Sequence, residues 1–384
     1  VNAGPVRLLS LHLRNFRNFE DQRLDIPPGG LALVGDNGQG KTNLLEAIYY
    51  LQIFRSFRGA ADEQLVRFGE DVFRVAGRLH SAGGEREVTA AYDRRARIKK
   101  VTIDGQEPGR LGEGIGNVPA VIFSPSDVAI VAGSPSERRR YLDILLSLAV
   151  PGYLQALQRY RQVLTRRNAL LRAGAPSAEV TAWNHGLVSA GARVVAPRSV
   201  WVREHAAAFS ERVASISGGS AGQVEYEASV GLPADAIDAE NVSAVEAAFH
   251  EQLERAGERE QRRGMTLVGP HRDDLRIRGE RENTPGEWVD LRTYGSGGQQ
   301  RTAAVALRMI EAETLKSASG EEPVILLDDV FAELDPGRSE RILTWVREGE
   351  GGQVILTAPK PSDLERRGIG VVPWSIRSGV VSPL

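Results

Sequence analysis

The stretch from Leu31 to Glu46, LALVGDNGQGKTNLLE, decides how the chain is read. Leu31 to Val34 is a short apolar run. Gly35-Asp36-Asn37-Gly38-Gln39-Gly40-Lys41-Thr42 follows, and Leu44, Leu45 and Ile48 then recur at helical spacing. Strand, glycine-rich turn and helix are the order that a phosphate-binding loop requires. Glycines let backbone N–H groups fold inward around phosphate oxygens, because no Cβ blocks the unusual dihedrals. The new helix aims its positive end at the same oxygens. Lys41 can reach the β- and γ-phosphates of a nucleotide, and the Thr42 hydroxyl can ligate Mg²⁺.

Composition sets the bounds around this motif. A chain of 384 residues favours two domains, or one large head with an insertion. With 41% apolar residues, 26% charged residues and a net charge of −2, the composition is that of an ordinary soluble globular protein. No apolar run approaches the roughly 18 residues that a membrane span needs. Val1 to Arg17 lacks the basic, apolar and cleavage-site succession of a signal peptide. Cysteine is absent, which excludes disulfides, zinc thiolate sites and cysteine nucleophiles. A cytoplasmic location is the default expectation. Lysine occurs only at positions 41, 99, 100, 316 and 360, all other basic residues being arginine, so the lysine at 41 is the more telling. The near-zero net charge excludes a uniformly basic protein but leaves room for a local basic face.

Upstream of the loop, Leu9, Leu11 and Leu13 alternate with polar residues and predict a half-buried strand. A second short strand is expected from Gln22 to Ile26, stopped by Pro27-Pro28-Gly29-Gly30. Downstream, the helix after Lys41 should run to about Phe54. Several short strands are expected between Asp71 and Ile103. The Arg94–Lys100 run among them reads as a solvated strand edge. Val118 to Phe123 is a buried strand candidate. From Ser136, a plausible helix cap, to about Gly264 the pattern is mostly helical, punctuated by Pro151, Gly174-Ala175-Pro176, Pro197 and Gly218-Gly219, with one strand-like piece near Val224 to Val230. Tyr153, Leu157, Tyr160 and Leu164 share one helix face and read as core. Arg138, Arg139, Arg140, Arg161, Arg166 and Arg167 are candidates for a nucleic-acid surface, but read first as solvated helix faces. Met265 to Ile277 is expected to be extended. Its His271-Arg272-Asp273 triplet echoes a kinase catalytic loop, but no Asn stands at the required offset.

The last third supplies a second set of motifs. Tyr294-Gly295-Ser296-Gly297-Gly298-Gln299-Gln300-Arg301 precedes a helix expected from Thr302 to about Lys316, and offers a hydroxyl and backbone amides at a helix start. Pro323 to Leu327 is an apolar strand closed by Asp328-Asp329. The first carboxylate is placed to hold Mg²⁺ and the second to polarise an attacking water. Glu333-Leu334-Asp335-Pro336 starts another helix, and Gln353 to Thr357 reads as a further core strand.

GDNGQGKT, SGGQQ, LLDDV and ELD, in that order, resemble the ABC-type ATPase heads of the structural-maintenance-of-chromosomes group. RLLSLHLRNFRN, FSPSDVAIVAGSPSERRRYLD, GPHRDDL and LLDDVFAELD extend the pattern, which is similar to the RecF family of bacterial recombination mediators from about Val6 to Thr357. The resemblance implies an α/β P-loop head, with a mixed sheet and an antiparallel sheet around the phosphate-loop helix and an inserted helical lobe. Its parts would be residues 1–135, the lobe at 136–264, and 265–384. It implies that ATP is bound between two subunits, with the loop Gly35 to Thr42 of one facing Ser296, Gly297, Gly298 and Gln299 of the other. Ser296 would contact the γ-phosphate in trans, Asp335 would lie at the dimer interface, and Arg17 would touch phosphate. Catalysis would rest on Lys41, Asp329 and Ser296, with Thr42 and Asp328 on Mg²⁺. ATP would close a homodimer on duplex DNA and on junctions of single- and double-stranded DNA. Partners would be RecR and, through it, RecO, with RecA loaded at gaps and the SOS response supported.

Three positions depart from related heads: Ser124-Pro125 where Gln is usual, Thr357-Ala358 where His often stands, and Asp329 where Glu is common. The shorter acid predicts slow hydrolysis. The competing readings are the nucleotide-binding subunit of a transporter, a GTPase or small-molecule kinase, and a nuclease. The helical insertion and missing Gln and His oppose the first. No Asn-Lys-x-Asp is present for the second, and no carboxylate or histidine cluster beyond Asp328-Asp329 for the third.

Overall fold

The computed structural model describes residues 4–238, 242–281, 284–331, 334–349, 352–365 and 370–384. The chain divides into two compact units: Val1–Asp127 together with Glu311–Leu384, and Val128–Ile310.

The first unit contains two sheets. One is antiparallel and five-stranded, built from β1 (Arg7–Phe16), β2 (Phe19–Asp25), β4 (Val72–Ser81), β5 (Gly84–Asp93) and β6 (Ile98–Ile103), in the order β2-β1-β4-β5-β6. The other is six-stranded: β3 (Gly30–Val34), β7 (Ala120–Phe123), β11 (Val324–Leu327), β12 (Val354–Ala358), β13 (Val372–Arg377) and β14 (Val380–Pro383), in the order β14-β13-β3-β12-β11-β7. All pairings in it are parallel except β13 with β14. β3, β7, β11 and β12 are buried along their whole length, which is why their sequences are near-continuous Val, Ile, Leu and Ala rather than alternating. β1 alternates because only one of its faces meets the core. Leu8, Leu11, Leu13 and Phe16 of β1 join Leu44, Ile48 and Tyr50 of the Lys41–Ile53 helix in one apolar cluster. Phe16, Tyr50 and Phe73 meet edge to face there, with centroids 5.3–6.2 Å apart. Buried Gln353 ties the two sheets: its Oε1 accepts from Leu8 N at 2.8 Å, and its Nε2 donates to Leu8 O and Pro27 O, both at 3.0 Å.

The second unit carries the long helices Pro135–Ala149, Tyr153–Arg172, Asn184–Ser217 and Ser243–Arg263, and a three-stranded sheet of β8 (Gly222–Glu227), β9 (Asp274–Arg281) and β10 (Thr284–Asp290). It extends beyond the expected lobe of 136–264 because β8 pairs antiparallel with β9, drawing the chain after 264 into the same unit.

Several expectations shift. The strands between Asp71 and Ile103 are not short: β4 and β5 form a ten-by-ten-residue hairpin. The chain from Met265 to Asp273 turns rather than extending, and strand begins only at Asp274. The Gly297–Ser319 helix starts at the first glycine rather than at Thr302. Pro197 does not end a helix but lies inside Asn184–Ser217. A proline there removes one i−4 bond, which the surrounding buried face outweighs. Arg138 and Arg167 are not solvated. Arg138 forks onto Asp274 at 2.7 and 2.9 Å, and Arg167 donates to Asn184, Thr266 and Glu260 at 2.7–3.0 Å in the interior. A buried guanidinium is tolerable only when paired and hydrogen-bonded in this way. Tyr153, Leu157 and Tyr160 are buried, as the helix face predicts.

Candidate functional site

β3 delivers Gly35 to Thr42 at the end of a fully buried strand, and the Lys41–Ile53 helix carries the chain away. Gly38 and Gly40 have φ of +80° and +113°, backbone that favours glycine. A Cβ on Gly40 would also strike the Asn18 amide at 2.6 Å, and one on Gly35 would strike Ile376 O at 2.5 Å. Asp36, Asn37 and Gly38 are exposed at the tip. The Lys41 ammonium bends back over the loop and donates to Gly35 O and, at 3.1 Å, to Asp36 O. No acidic residue stands in the first helical turn and no side chain caps it. Its amides and dipole therefore favour an anion.

The loop is held from two sides. Asn18 Nδ2 donates to Gln39 O at 2.9 Å, and Asn43 Nδ2 donates to Asn18 Oδ1 at 2.9 Å. From the β13–β14 turn, Ser378 N donates to Gln39 Oε1 at 2.7 Å and Gly379 N to Gln39 O at 3.0 Å. Arg17 forks onto the fully buried Glu46 of the helix at 2.8 and 2.9 Å and donates to Gln64 O at 3.1 Å.

Asp328 follows β11, two strands from β3, and β12 lies between. Thr42 Oγ1 donates to Asp328 Oδ1 at 2.9 Å, and Thr357 Oγ1 of β12 lies 3.3 Å from the same oxygen. Asp329 N donates to Thr357 Oγ1 at 2.9 Å, and Asp329 adopts a left-handed φ of +49°. Thr357, expected only as a departure from related heads, thus bonds to both aspartates. Burial raises the Asp328 pKa, the hydroxyls of Thr42 and Thr357 lower it, and neighbouring Asp329 raises it again. A buried carboxylate beside a threonine hydroxyl is a hard-oxygen pair suited to Mg²⁺, which takes few protein ligands and completes its shell with phosphate and water. Ser124, at the position where Gln is usual, is engaged locally, with Asp127 and Ser126.

The Ser296 loop belongs to the second unit, whereas Gly35 to Thr42 belongs to the first. Ser296 N donates to Gln299 Oε1 at 2.9 Å, and Gln299 N to Ser296 Oγ at 3.3 Å, a reciprocal cap on the Gly297–Ser319 helix. Gln299 Nε2 also reaches Glu280 O at 2.9 Å. Ser296 and Gly297 are exposed and Gly298 is half-buried. Asp335 caps the Pro336–Glu348 helix, accepting from Arg338 N at 3.0 Å, and that bond lowers its pKa. Glu333 of the ELD sequence lies outside the described residues.

The geometry adds Asn18, Glu46 and Thr357 to the residues expected from sequence. Asn18 sits in the quoted RNFRN stretch, but nothing local marks it as the clamp on Gln39, 21 residues away.

A phosphate loop on a central parallel strand, with an aspartate closing a strand two places along and a threonine on the strand between, defines a P-loop ATPase head of ABC type. The RecF/RecN/SMC N terminal domain family model matches residues 7–368. The DNA replication and repair protein RecF of Anaeromyxobacter dehalogenans is 38% identical over 385 residues, covering 99% of this chain and all of that one. That of Desulfitobacterium hafniense is 34% identical over 364 residues, covering 93% and 94%. A solved recombination mediator protein RecF with ATP, described as acting in the RecFOR pathway, superposes with a TM-score of 0.87 at 33% identity over 99% of each chain. An Smc head domain from Pyrococcus furiosus shares the fold at a TM-score of 0.57 and 16% identity. The chain belongs to the RecF family. None of the helices among the described residues is long and apolar enough to cross a membrane.

Proposed function

We propose that this chain is an ATP-dependent DNA-binding clamp of recombinational repair, working in the cytoplasm with RecR and RecO to help load RecA at gaps, and supporting the SOS response. The observation that carries the reading is the convergence of Thr42, Asp328 and Thr357 behind an uncapped glycine loop. In this reading the amides from Gly35 to Thr42, with Asp36, Asn37, Gly38, Gln39 and Gly40 forming the turn, cradle the phosphates of ATP. Lys41 leaves the carbonyls of Gly35 and Asp36 to bind the β- and γ-phosphates. Thr42 and Asp328 are the residues that would hold Mg²⁺, which when bound neutralises developing phosphate charge.

Asp329 is the general base. Its backbone is fixed by Thr357, so its carboxylate can accept a proton from a water in line with the γ-phosphate. An aspartate reaches less far than a glutamate, and slow turnover follows; in this reading DNA binding stimulates it. Ser296, Gly297, Gly298 and Gln299 from a second copy complete the site at the γ-phosphate, and Asp335 borders that contact. Arg17, spent on Glu46, acts as a positioning residue that fixes the helix behind the loop. Direct contact of Arg17 with phosphate requires its fork to leave Glu46. Support for the DNA and partner roles comes from relatives named DNA replication and repair protein RecF and from a solved relative placed in the RecFOR pathway.

Light scattering with and without ATP and Mg²⁺ tests the reading. Wild type becomes a dimer only with ATP and then binds duplex DNA; Lys41→Arg and Ser296→Arg stay monomeric. A mass that never changes, or a Ser296→Arg protein that dimerises normally, refutes the shared site. Turnover above about one per second without DNA refutes the slow-hydrolysis assignment.

A further inference from the structure

Two stretches that mark the family resemblance, Ser134–Asp143 and Gly269–Leu275, have no part in the nucleotide site. They lie more than a hundred residues apart in sequence and meet in the second unit, where they wall a cavity of about 220 Å³. Ser136, Arg139 and Arg140 line it from the start of the Pro135–Ala149 helix, Tyr160 and Arg161 from the Tyr153–Arg172 helix, and His271 from the turn before β9. Gly269 is required at that turn: its φ is +123°, and a Cβ would lie 2.4 Å from Tyr160 Oη.

Guanidinium groups outnumber carboxylates on the wall of this cavity. Its wall carries Arg139, Arg140, Arg161 and Arg198 but only one carboxylate, Asp143. Asp143 is already shared, accepting from Arg198 at 2.6 Å and from Arg161 at 2.9 Å. Arg198 is fully buried and held in place, since its other nitrogens donate to Tyr153 Oη at 2.9 Å and Pro270 O at 2.8 Å. Two further carboxylates stand close behind the wall: Asp274 and Asp273 both attract Arg139, and Asp273 also attracts Arg198. Asp274 takes the Arg138 fork, while Asp273 accepts from Tyr226 Oη and Ser229 N. Arg139 meets Asp273 through a backbone carbonyl at 2.8 Å, which satisfies a donor without neutralising the charge. Burial, and then the Arg198 guanidinium, lower the Arg139 pKa against the attraction of Asp274, Asp273 and Asp143. His271 adds no charge at neutral pH: burial brings its pKa down to about 4. Its Nδ1 lies 2.6 Å from Tyr160 Oη and its Nε2 3.1 Å from Thr266 O, so Nε2 carries the proton and donates to the carbonyl. The result is a guanidinium-rich pocket, lined also by the Ser136 hydroxyl, with room for a phosphate.

We infer that this cavity seats a phosphate of the nucleic-acid backbone, with Arg139, Arg140 and Arg161 as donors on a frame made by Arg198 and Asp143. The choice of nucleic acid rests on the clamp reading above. One backbone phosphate neutralised here predicts a sequence-independent contribution to binding.

The test is duplex binding by fluorescence anisotropy with ATP and Mg²⁺, across a salt series, for the full chain and for Arg139→Gln, Arg161→Gln and the exposed control Arg95→Gln. Arg139→Gln and Arg161→Gln should each weaken binding about five- to tenfold, equally on unrelated sequences, and flatten the log–log salt slope by about one. Arg95→Gln should leave both unchanged. Arg161 is exposed at the rim, so its variant still decides the matter if Arg139→Gln fails to fold. Wild-type slope and affinity in both pocket variants overturn the inference. If wild type binds no duplex at all, the clamp reading is what has failed, and the difference in pyrophosphate-induced melting shift between wild type and the pocket variants then judges the cavity, because the phosphate loop is the same in all of them. A larger rise in midpoint for wild type than for both pocket variants keeps it as an anion site while overturning the backbone source. An equal rise, or none, overturns it entirely.

Discussion

Two glycine-rich turns in this chain precede helices, and they begin those helices in opposite ways. Gly35 to Thr42 leaves its helix start open, with no capping side chain and no acid in the first turn. Ser296 to Gln299 closes its own start through the reciprocal Ser296–Gln299 bonds. Orphan amides at a helix start seek an acceptor, and an open start takes it from a ligand whereas a closed one has found it in the chain. The first turn is therefore built to bind phosphate unaided. In the proposed reading the second presents its serine to a γ-phosphate held by another copy, which would have to compete with Gln299.

That contrast can be broken or sharpened by measurement. The largest effect is expected from Lys41→Ala, which should weaken ATP binding by monomers about 100-fold, the scale of a lost charge-assisted contact. Ser296→Ala should change the same constant by no more than about twofold. Titration calorimetry on both variants decides, and equal losses would erase the distinction. Next, Asn18→Ala should lower stability by about 1–2 kcal/mol in urea and weaken ATP binding along with it, because the bond to Gln39 O holds the open turn in shape. Retained affinity would mean that the turn needs no clamp. Gln299→Leu should cost about 1 kcal/mol, the usual worth of a cap, without altering monomer affinity for ATP. The smallest effect carries a sign. The Asp328 pKa is raised in the folded protein, so its buried carboxylate opposes folding at pH values above that raised pKa, and the opposition fades as the pH falls through it. Asp328→Asn should thus raise the melting temperature of the nucleotide-free protein slightly at neutral pH and lose that advantage in acid. A lower melting temperature at neutral pH would show that the carboxylate is stabilised by its hydroxyl partners beyond what burial takes away.

What the sequence made legible follows the range of the interactions involved. The phosphate loop, the apolar strands and the aspartate pair are local patterns, and all lie where periodicity places them. Gly297 entered the helix unannounced because glycine propensity argues against it, and the Ser296–Gln299 cap overrides that preference. Arg138 and Arg167 look like any exposed helical arginine until Asp274 and Glu260, 136 and 93 residues distant in sequence, are brought against them. Thr357 was visible only as a missing histidine. Its role emerges once β12 lies between β3 and β11. The β13–β14 hairpin drew no prediction, because nothing near Ser378 announces that its amide will meet Gln39.

That last contact ties the chemistry to the order in which the chain is made. The loop at Gly35 to Thr42 emerges from the ribosome early, but one of its two clamps, and the strands β12 and β13 that flank β3, emerge more than 300 residues later. At about 5–20 residues per second, the nascent loop waits tens of seconds without its walls. Competence to hold nucleotide is then one of the last properties the chain acquires. An aborted chain ending before β13 would carry the complete phosphate-binding sequence and still fail to bind ATP.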